Sequence, residues 1–202
     1  MARPPKDDWV PKMRSSAAAR LAEGQDVRIM DIAEELGTSP ALVHFYFGDR
    51  RHLVEEGWKE VLEAYVEQDL TRIADAAERI DWNAVAVLVR DILAPRRDAT
   101  HLAHLRAAAE GQRSEALGEA VVEVHDRTVA RWRELLEASI ERGAVATDLD
   151  PEAISTLIVA VPLGLAAVRP SPTARQRRAL AAAYTAMLRA VLDPEYDPHD
   201  AD

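Results

Sequence analysis

Cysteine is absent from the 202-residue chain, which excludes disulfide bonds and any metal site built on thiolate ligands. The longest apolar run, Leu157 to Val168, has twelve residues and includes Pro162, whereas a bilayer-spanning helix needs about 20 residues. The N-terminus has no apolar stretch after its basic start and does not resemble a signal peptide. A soluble, cytoplasmic protein is therefore expected.

Catalytic and cofactor-binding motifs are missing as well. The sequence has no H-E-x-x-H, G-x-S-x-G, Walker A or G-x-G-x-x-G pattern, and it lacks the paired E-x-x-H of di-iron bundles. His101 and His104 share a helix face and could begin a metal site, but no third ligand is evident. Glu123 and His125 are two apart and do not share a face. We therefore predict no enzymatic activity, no cofactor and no metal.

Basic residues are the minority, with 25 Lys and Arg against 35 Asp and Glu, a net charge of -10. Such a balance argues against a nucleic-acid partner, because phosphate binding needs local positive potential. The acidity is uneven, however, since residues 1–58 carry eight basic and ten acidic side chains and the rest carries a net charge of -8. Any DNA contact would therefore depend on a few placed cations, such as Arg28, Arg50, Lys12 and Arg14. Weak non-specific binding and a modest salt dependence are expected.

Glycine is scarce, at eight residues, and apolar residues in most long segments recur three and four positions apart, which is the period of an amphipathic helix. We predict an all-α protein of about nine helices, divided where glycine, proline and aspartate cluster. Three short helices precede Asp49, at about 11–23, 28–36 and 40–47. The longer helices that follow include segments near 59–79, 82–94, 99–112 and 114–142. This change in length predicts one domain over 1–58, a second over 59–192 and a loose acidic tail over 193–202.

A helix-turn-helix pattern lies within the short helices. Four apolar residues between Ile29 and Leu36 have the spacing i, i+3, i+4, i+7, which buries one face of a short helix. Gly37 follows where a helix closes with a left-handed residue, and Ser39-Pro40 supplies an N-cap and a first helical proline. So short a link makes the second helix cross the first steeply, as in DNA-reading helix-turn-helix motifs.

The second helix of this motif has an unusual exposed face. Val43 and Phe47 are expected to point inward, which leaves Ala41, Leu42, His44, Phe45 and Tyr46 wholly or partly outward. Residues 38–47 contain no Arg, Asn or Gln, the strong readers of guanine and adenine. Specificity would then depend on apolar contacts with thymine methyl groups, on hydroxyl groups and on indirect readout. An alternative is that Phe45 and Tyr46 belong to the core of a small helical domain.

These residues resemble the N-terminal DNA-binding domain of TetR-type transcriptional regulators. The resemblance is carried by Asp31-Ile32-Ala33, the Gly37 turn, Ser39-Pro40-Ala41-Leu42, the aromatic cluster ending at Phe47, and Gly48 to Leu53. A weaker similarity to the C-terminal domains of the family lies in Gly143-Ala144-Val145 followed by Asp148 to Pro151. The resemblance implies a helix-turn-helix over 28–47, a recognition helix over 40–47, and a helical domain for effector binding and dimerisation.

The resemblance also implies the contact residues. Family members usually have Thr or Ser at the position of Arg28, where it caps the helix and touches phosphate; Arg28 cannot cap, although Asp26 could if the helix began earlier. Asp49 is expected to cap the fourth helix and to place Arg50 at its N-terminus, facing the DNA backbone. The residues expected to contact DNA are Arg28, Thr38, Ser39, Pro40, Ala41, Leu42, His44, Phe45, Tyr46 and Arg50.

The last two helices carry apolar stripes, from Ile154 to Val168 and from Leu180 to Val191. The resemblance implies that they pair with a second copy in a four-helix interface, and the alternative is that they complete a monomeric core. Pro162 is expected to bend its helix and help open a pocket. The residues expected near a small-molecule site are Trp82, Leu88, His101, Leu105, Val122, His125 and Trp132.

The function that follows is a dimeric DNA-binding transcriptional regulator, expected to act as a repressor released from a palindromic operator by an unidentified small-molecule effector. A different class stays open, namely a small helical ligand carrier or enzyme without a DNA role. An activator would differ only in the sign of promoter output.

Overall fold

The computed structural model describes residues 6–77 and 82–193, with side chains over 9–73 and 85–193. Within these ranges the chain forms nine α-helices and one short 3-10 helix, Pro95–Arg97, and no strand, so the predicted all-α fold is confirmed. The helices are α1 (Lys6–Ala22), α2 (Ile29–Glu35), α3 (Pro40–Phe47), α4 (Arg50–Ala77), α5 (Trp82–Ile92), α6 (Asp98–Gly111), α7 (Glu115–Glu141), α8 (Pro151–Val168) and α9 (Ala174–Leu192). The tail predicted over 193–202 lies, apart from Asp193, outside the described residues.

Two helices differ from the sequence-based bounds. The first begins at Lys6 rather than near 11 and includes Pro11, which is tolerated because it interrupts the backbone hydrogen bonds only near the start of the helix. The fourth is continuous from Arg50 to Ala77 and passes through the predicted domain boundary at 58. A run of helix-compatible residues with no proline carries it through that point.

The chain divides into two compact units. Of the described residues, 6–65 and 103–124 form the first, which we call the N-terminal unit, and 66–77, 82–102 and 125–193 form the second. The N-terminal unit therefore includes parts of α4, α6 and α7 as well as α1 to α3. Its largest fully buried side chains are Met13, Val27, Ile32, Val43, Leu53, Leu62 and Leu117. The assignment of residues 1–58 to DNA binding and 59–192 to effector binding stays a prediction.

The second unit has two apolar clusters. One joins α7, α8 and α9 through Leu136, Ile154, Ile158 and Leu192, together with Val145 from the loop before α8. The other joins α5 to α9 through Val89, Ala181 and Tyr184. These clusters bury one side of α8 and α9, whereas Leu157 and Val168 of the predicted α8 stripe are exposed.

Helix α8 contains Pro162, which has no N–H to donate to the carbonyl of Ile158 one turn earlier. The hydroxyl of Tyr184, from α9, donates to that carbonyl at 3.2 Å. A buried acceptor that the proline leaves without its helical partner is thus satisfied by a neighbouring helix. Burial also raises the pKa of Tyr184, so its hydroxyl stays protonated and able to donate.

By length and composition alone, α8 could cross a membrane, since its 18 residues include only one charged side chain, Glu152. The uninterrupted apolar run Leu157 to Val168 is shorter than the helix because small polar residues such as Ser155 precede it. A single helix of this kind is weak evidence for a membrane span, because a core or interface helix has the same composition.

Candidate DNA-binding surface and effector cavity

The turn between α2 and α3 closes through local hydrogen bonds. Gly37 has φ of 62° and donates to the carbonyl of Glu34 at 3.1 Å, while Thr38 donates to Ala33 at 2.8 Å, the paired bonds of a Schellman motif. Ser39 then caps α3, its hydroxyl accepting from the N–H of Leu42 at 3.3 Å. The stop and restart predicted from Gly37 and Ser39-Pro40 are both confirmed, and α2 and α3 pack against each other.

Helix α3 separates an inner face from an outer one. Val43 and Phe47 are buried, Ala41, His44 and Phe45 are exposed, and Leu42 and Tyr46 are half-buried. Phe45 is 62% exposed and so is not a core residue. Its ring meets the edge of Tyr46 at a centroid distance of 5.1 Å, which holds the two aromatic side chains together at the surface. Of the other predicted contacts, Ser39 is exposed and Thr38 and Pro40 are half-buried.

His44 is held in one tautomer. Its Nδ1 lies 2.9 Å from the carbonyl oxygen of Gly48. Because a carbonyl can only accept, Nδ1 carries the proton, and in the neutral ring Nε2 is an acceptor. His44 can therefore accept from an amino group on a base edge, whereas only the charged imidazolium can donate to phosphate.

The predictions for the N-caps of α2 and α4 have different outcomes. Asp49 caps α4, its carboxylate accepting from the N–H of His52 at 2.8 Å, as predicted. Arg28 occupies the N-cap of α2 without a side-chain capping bond, also as predicted. The suggestion that Asp26 caps α2 is wrong, because the helix begins at Ile29, too far along the chain for that side chain to serve as its N-cap.

The carboxylate of Asp26 instead contacts both arginines. One oxygen lies 3.2 Å from Nε of Arg28 and the other 2.5 Å from Nη2 of Arg50. Nε of Arg50 also donates to the carbonyl of Val27 at 2.6 Å. The hydrogen bonds from Arg28 and Arg50 lower the pKa of Asp26. The sequence did not predict this cluster, because Asp26 and Arg50 are far apart in the chain.

Two further cations were expected to assist DNA binding. Arg14 forms an ion pair within the N-terminal unit, with its Nε 2.7 Å from a carboxylate oxygen of Glu60. The ammonium group of Lys12 lies 5.8 Å from the ring centroid of Trp9, at cation–π distance. Both keep exposed area, but neither belongs to the cluster around Asp26.

The second unit contains an apolar cavity of about 80 Å³, partly open to solvent, between α5, α7, α8 and α9. It is lined by Val85, Leu88, Val89, Ile92, Trp132, Leu135, Leu136, Ser139, Val145, Ile158, Tyr184, Leu188 and Leu192. The two hydroxyl groups in this lining are already used: Ser139 donates to the carbonyl of Leu135 at 2.5 Å, and Tyr184 donates to Ile158. A water molecule needs two to four polar partners, so this cavity favours an apolar occupant.

A smaller and more polar cavity of about 20 Å³ lies in the same unit. Asp98 and Arg177, which border it, form a two-point ion pair at 2.9 and 2.5 Å, and Arg177 also donates to the carbonyl of Leu93. His101 lies beside them, where burial and the nearby positive charge of Arg97 lower its pKa to about 4. At neutral pH this histidine is therefore uncharged.

The predicted effector residues are dispersed. Leu88 and Trp132 line the apolar cavity and His101 lines the polar one. Leu105 and Val122 belong to the N-terminal unit, where Val122 is 58% exposed, and His125, whose pKa burial lowers, lines neither cavity. Trp82 begins α5, but its side chain lies outside the described residues. Most of the wall was missed. Ile158, Tyr184, Leu188 and Leu192 lie on the helices whose stripes were assigned to a dimer interface or a monomeric core, and the other missed residues lie on α5, α7 and the loop before α8.

His101 and His104 do not acquire the third ligand that a metal site needs. Among the side chains that the structure describes, those of 9–73 and 85–193, no three from histidine, aspartate or glutamate are grouped so that they could hold an ion. Both rings are buried, and His104 packs on Tyr65 at a centroid distance of 5.5 Å.

Comparisons with known proteins agree with the geometry of the helix-turn-helix unit. The sequence matches no protein-family model and no curated protein. Solved structures do match: a TetR-family transcriptional regulator from Mesorhizobium loti has a TM-score of 0.73 at 19% identity, covering 90% of this chain and 95% of its own. A TetR transcription regulator from Haloarcula marismortui has a TM-score of 0.66 at 21% identity, with 93% and 100% covered.

A third match is a transcriptional regulator from Saccharomonospora viridis solved in complex with choline, with a TM-score of 0.68 at 19% identity and 91% and 97% of the two chains covered. Each match extends over nearly the full length of both compared chains, so it includes helices of both compact units. The chain therefore has the fold of the TetR-family transcriptional regulators.

Proposed function

We propose that the protein is a DNA-binding transcriptional regulator of the TetR type. The observation that carries this proposal is the outer face of α3, where Phe45 and Tyr46 stand exposed or half-exposed beside a tight helix-turn-helix. A surface aromatic pair that the core does not use is costly in water and needs a binding role. The second helix of such a motif is the element that enters the major groove of DNA.

The chemistry of α3 favours an operator that contains thymine. Ala41 and Leu42 offer apolar surface to thymine methyl groups, and Nε2 of neutral His44 can accept from the amino group of adenine or cytosine. Replacing thymine by uracil at the contacted positions is expected to weaken binding several-fold, because each replacement removes one methyl contact. Equal affinity for the two duplexes would contradict this mode of readout.

The decisive experiment is a gel shift with the intergenic DNA beside the gene. The wild-type protein is expected to bind, and the double variant Tyr46→Ala, Arg50→Ala is expected to lose binding, since it removes an aromatic contact and a cation at the start of α4. The control Arg113→Ala removes one positive charge from an exposed side chain of the same unit and should bind normally. No shift by the wild-type protein with any operator-sized DNA would refute the proposal.

We infer a homodimer from α8 and α9. Leu157, Val168, Met187 and Val191 are exposed on these helices, with Val168 at 84%, although neighbouring residues of the same helices form the core of the unit. Covering them with the same face of a second copy gives a self-complementary interface. Two recognition helices about 34 Å apart would then match successive major grooves of a palindromic operator.

Sedimentation at micromolar concentration tests the dimer. The wild-type protein should sediment at twice its monomer mass, and Leu157→Glu should shift the equilibrium to monomer by burying a charge without a partner. The control is Ala109→Glu, which adds the same charge to an exposed position of α6, a helix outside the proposed interface. A monomeric wild-type protein would remove the dimer from the proposal.

The apolar cavity is the proposed effector site. Its lining has no free charge and its hydroxyl groups are paired, so the effector is expected to place a neutral apolar group there. If the effector prefers a dimer whose recognition helices are wrongly spaced, DNA affinity falls by the same factor by which DNA weakens effector binding. This coupling makes the protein a repressor that ligand releases.

Fluorescence of Trp132 provides the measurement. Titration with naphthalene should change the emission of the wild-type protein but not of Trp132→Phe, and the same ligand should release operator DNA. Ser139→Leu, which fills part of the cavity, should lower the affinity. Ligand binding by a protein that binds no DNA would instead support the second candidate, a helical ligand carrier.

A further inference from the structure

Asp26 lies between two arginines at the edge of the helix-turn-helix. Arg28 is the residue directly before α2, and Arg50 is the first residue of α4. The side chains of both arginines are more than half exposed, at 69% and 55%, as is that of Asp26 at 54%. Arginines and helix N-termini are the usual contacts of a DNA-binding domain with phosphate. The carboxylate thus occupies the place between the two cations where a phosphate group would be attracted.

We propose that Asp26 is an internal competitor of DNA phosphate that keeps the affinity of the helix-turn-helix for DNA low. This inference rests on the proposed DNA-binding function. The carboxylate neutralises about one of the two positive charges of Arg28 and Arg50, so each protomer presents a net charge near +1 at this edge instead of +2. An arriving phosphate must either share the guanidinium groups with Asp26 or displace it.

The hydrogen bonds explain why competition, rather than positioning, is the main effect. Arg50 is also held by the carbonyl of Val27, which accepts from Nε at 2.6 Å. This second bond is independent of Asp26 and keeps the arginine in place. Arg28 has a single short contact, to Asp26, and is otherwise solvent-exposed. Removing the charge of Asp26 therefore leaves one arginine oriented and frees the other.

The rest of the unit makes this local charge important. Residues 1–58 carry a net charge of -2, and Arg14 and Arg20 are both engaged with glutamates. Few cations remain to neutralise phosphates, so one carboxylate among them substantially changes the total positive charge that DNA meets. A weak electrostatic contribution means weak non-specific binding, and selectivity then depends on the base contacts of α3.

The test compares Asp26→Asn with the wild-type protein. The asparagine oxygen can still accept from Arg50, so the variant removes the charge while conserving the shape. Glu35→Gln is the matched control, because Glu35 also forms an exposed ion pair with an arginine, Arg20 at 3.0 Å, but at the far end of α2. Affinity for a mixed-sequence duplex of about 30 base pairs and for the operator is measured by fluorescence anisotropy over a range of salt concentrations from about 50 to about 300 mM.

Asp26→Asn is expected to bind the mixed-sequence duplex roughly two- to thirtyfold more tightly as a dimer, from the usual range for two exposed ion pairs. The slope of log affinity against log salt should become steeper by about one per protomer, the value for one additional neutralised phosphate. The ratio of operator to non-specific affinity should fall. Glu35→Gln should change neither affinity nor slope by this amount.

Weaker binding by Asp26→Asn, or the same affinity and slope as the wild-type protein, would overturn the inference while leaving the proposed function intact. If neither the wild-type protein nor the variant bound DNA even at the lowest salt concentration, the proposed function itself would fail, and the inference with it. Thermal unfolding of each variant, measured in parallel, separates loss of folded protein from a change in affinity.

Discussion

Replacing Tyr184 by phenylalanine tests how α8 accommodates a proline. The change removes only the hydroxyl that donates to the carbonyl of Ile158, which Pro162 leaves without its helical donor. Ile158 is buried, so the carbonyl would lose its partner without gaining water. A buried acceptor left unsatisfied costs about 1–3 kcal/mol. For a protein of this size that corresponds to a decrease in the melting temperature of roughly 2–12 °C.

The assay is urea unfolding at one fixed protein concentration, since dimerisation would otherwise shift the apparent stability. Thr185→Val is the control, because Thr185 donates at 2.8 Å to the carbonyl of Ala181, which keeps its own helical partner inside α9. That loss should be at most about 1 kcal/mol.

A double-mutant cycle with Pro162→Ala identifies the cause. In that background residue 162 has an N–H that can donate to Ile158, so Tyr184→Phe should cost clearly less, with a coupling energy of about 1 kcal/mol or more. An equal loss of stability in both backgrounds would refute the reasoning, because the cost would then come from packing of the ring rather than from the carbonyl.

Three further predictions concern stability. Gly57→Ala should destabilise the protein by about 1–3 kcal/mol in urea unfolding, because the new Cβ would lie 3.1 Å from Cβ of Ala17. Gly164→Ala, with open space around it, should instead stabilise the monomer by up to about 1 kcal/mol. A Gly57→Ala variant more stable than Gly164→Ala would contradict this packing. The pKa of His101 is about 4 in the folded protein against 6.5 in the unfolded chain, so the unfolded chain binds the proton first as the pH falls. The free energy of unfolding, measured at each pH, should therefore decrease below pH 6.5 by at most about 1.4 kcal/mol per pH unit. The decrease should be smaller in His101→Leu. Ser39→Ala should lower the unfolding free energy by about 1 kcal/mol through loss of the α3 cap, whereas an unchanged value would mean that the hydroxyl does not support the turn.

The sequence predicted the helix-turn-helix almost to the residue because its signals are local. A left-handed glycine, a hydroxyl cap and a first-position proline act within four residues of one another, so their conformations follow from the chain itself. The same reasoning placed Asp49 at the start of α4. It failed at α1, which was predicted to begin near residue 11 but begins at Lys6 and includes Pro11.

By itself, then, the sequence determined the all-α class, the helix ends around Gly37 and Ser39, and which residues of α3 face outward, since each depends on helical period and neighbouring residues. Only the tertiary structure decided that Asp26 contacts Arg50, that the hydroxyl of Tyr184 donates to the carbonyl that Pro162 leaves without a helical donor, and that α5, α7, α8 and α9 line an apolar cavity. These features join residues that lie far apart in the chain. The period of apolar residues predicts which face of a helix is apolar, but it does not predict which side chains of other helices contact that face, because those contacts depend on how the helices pack.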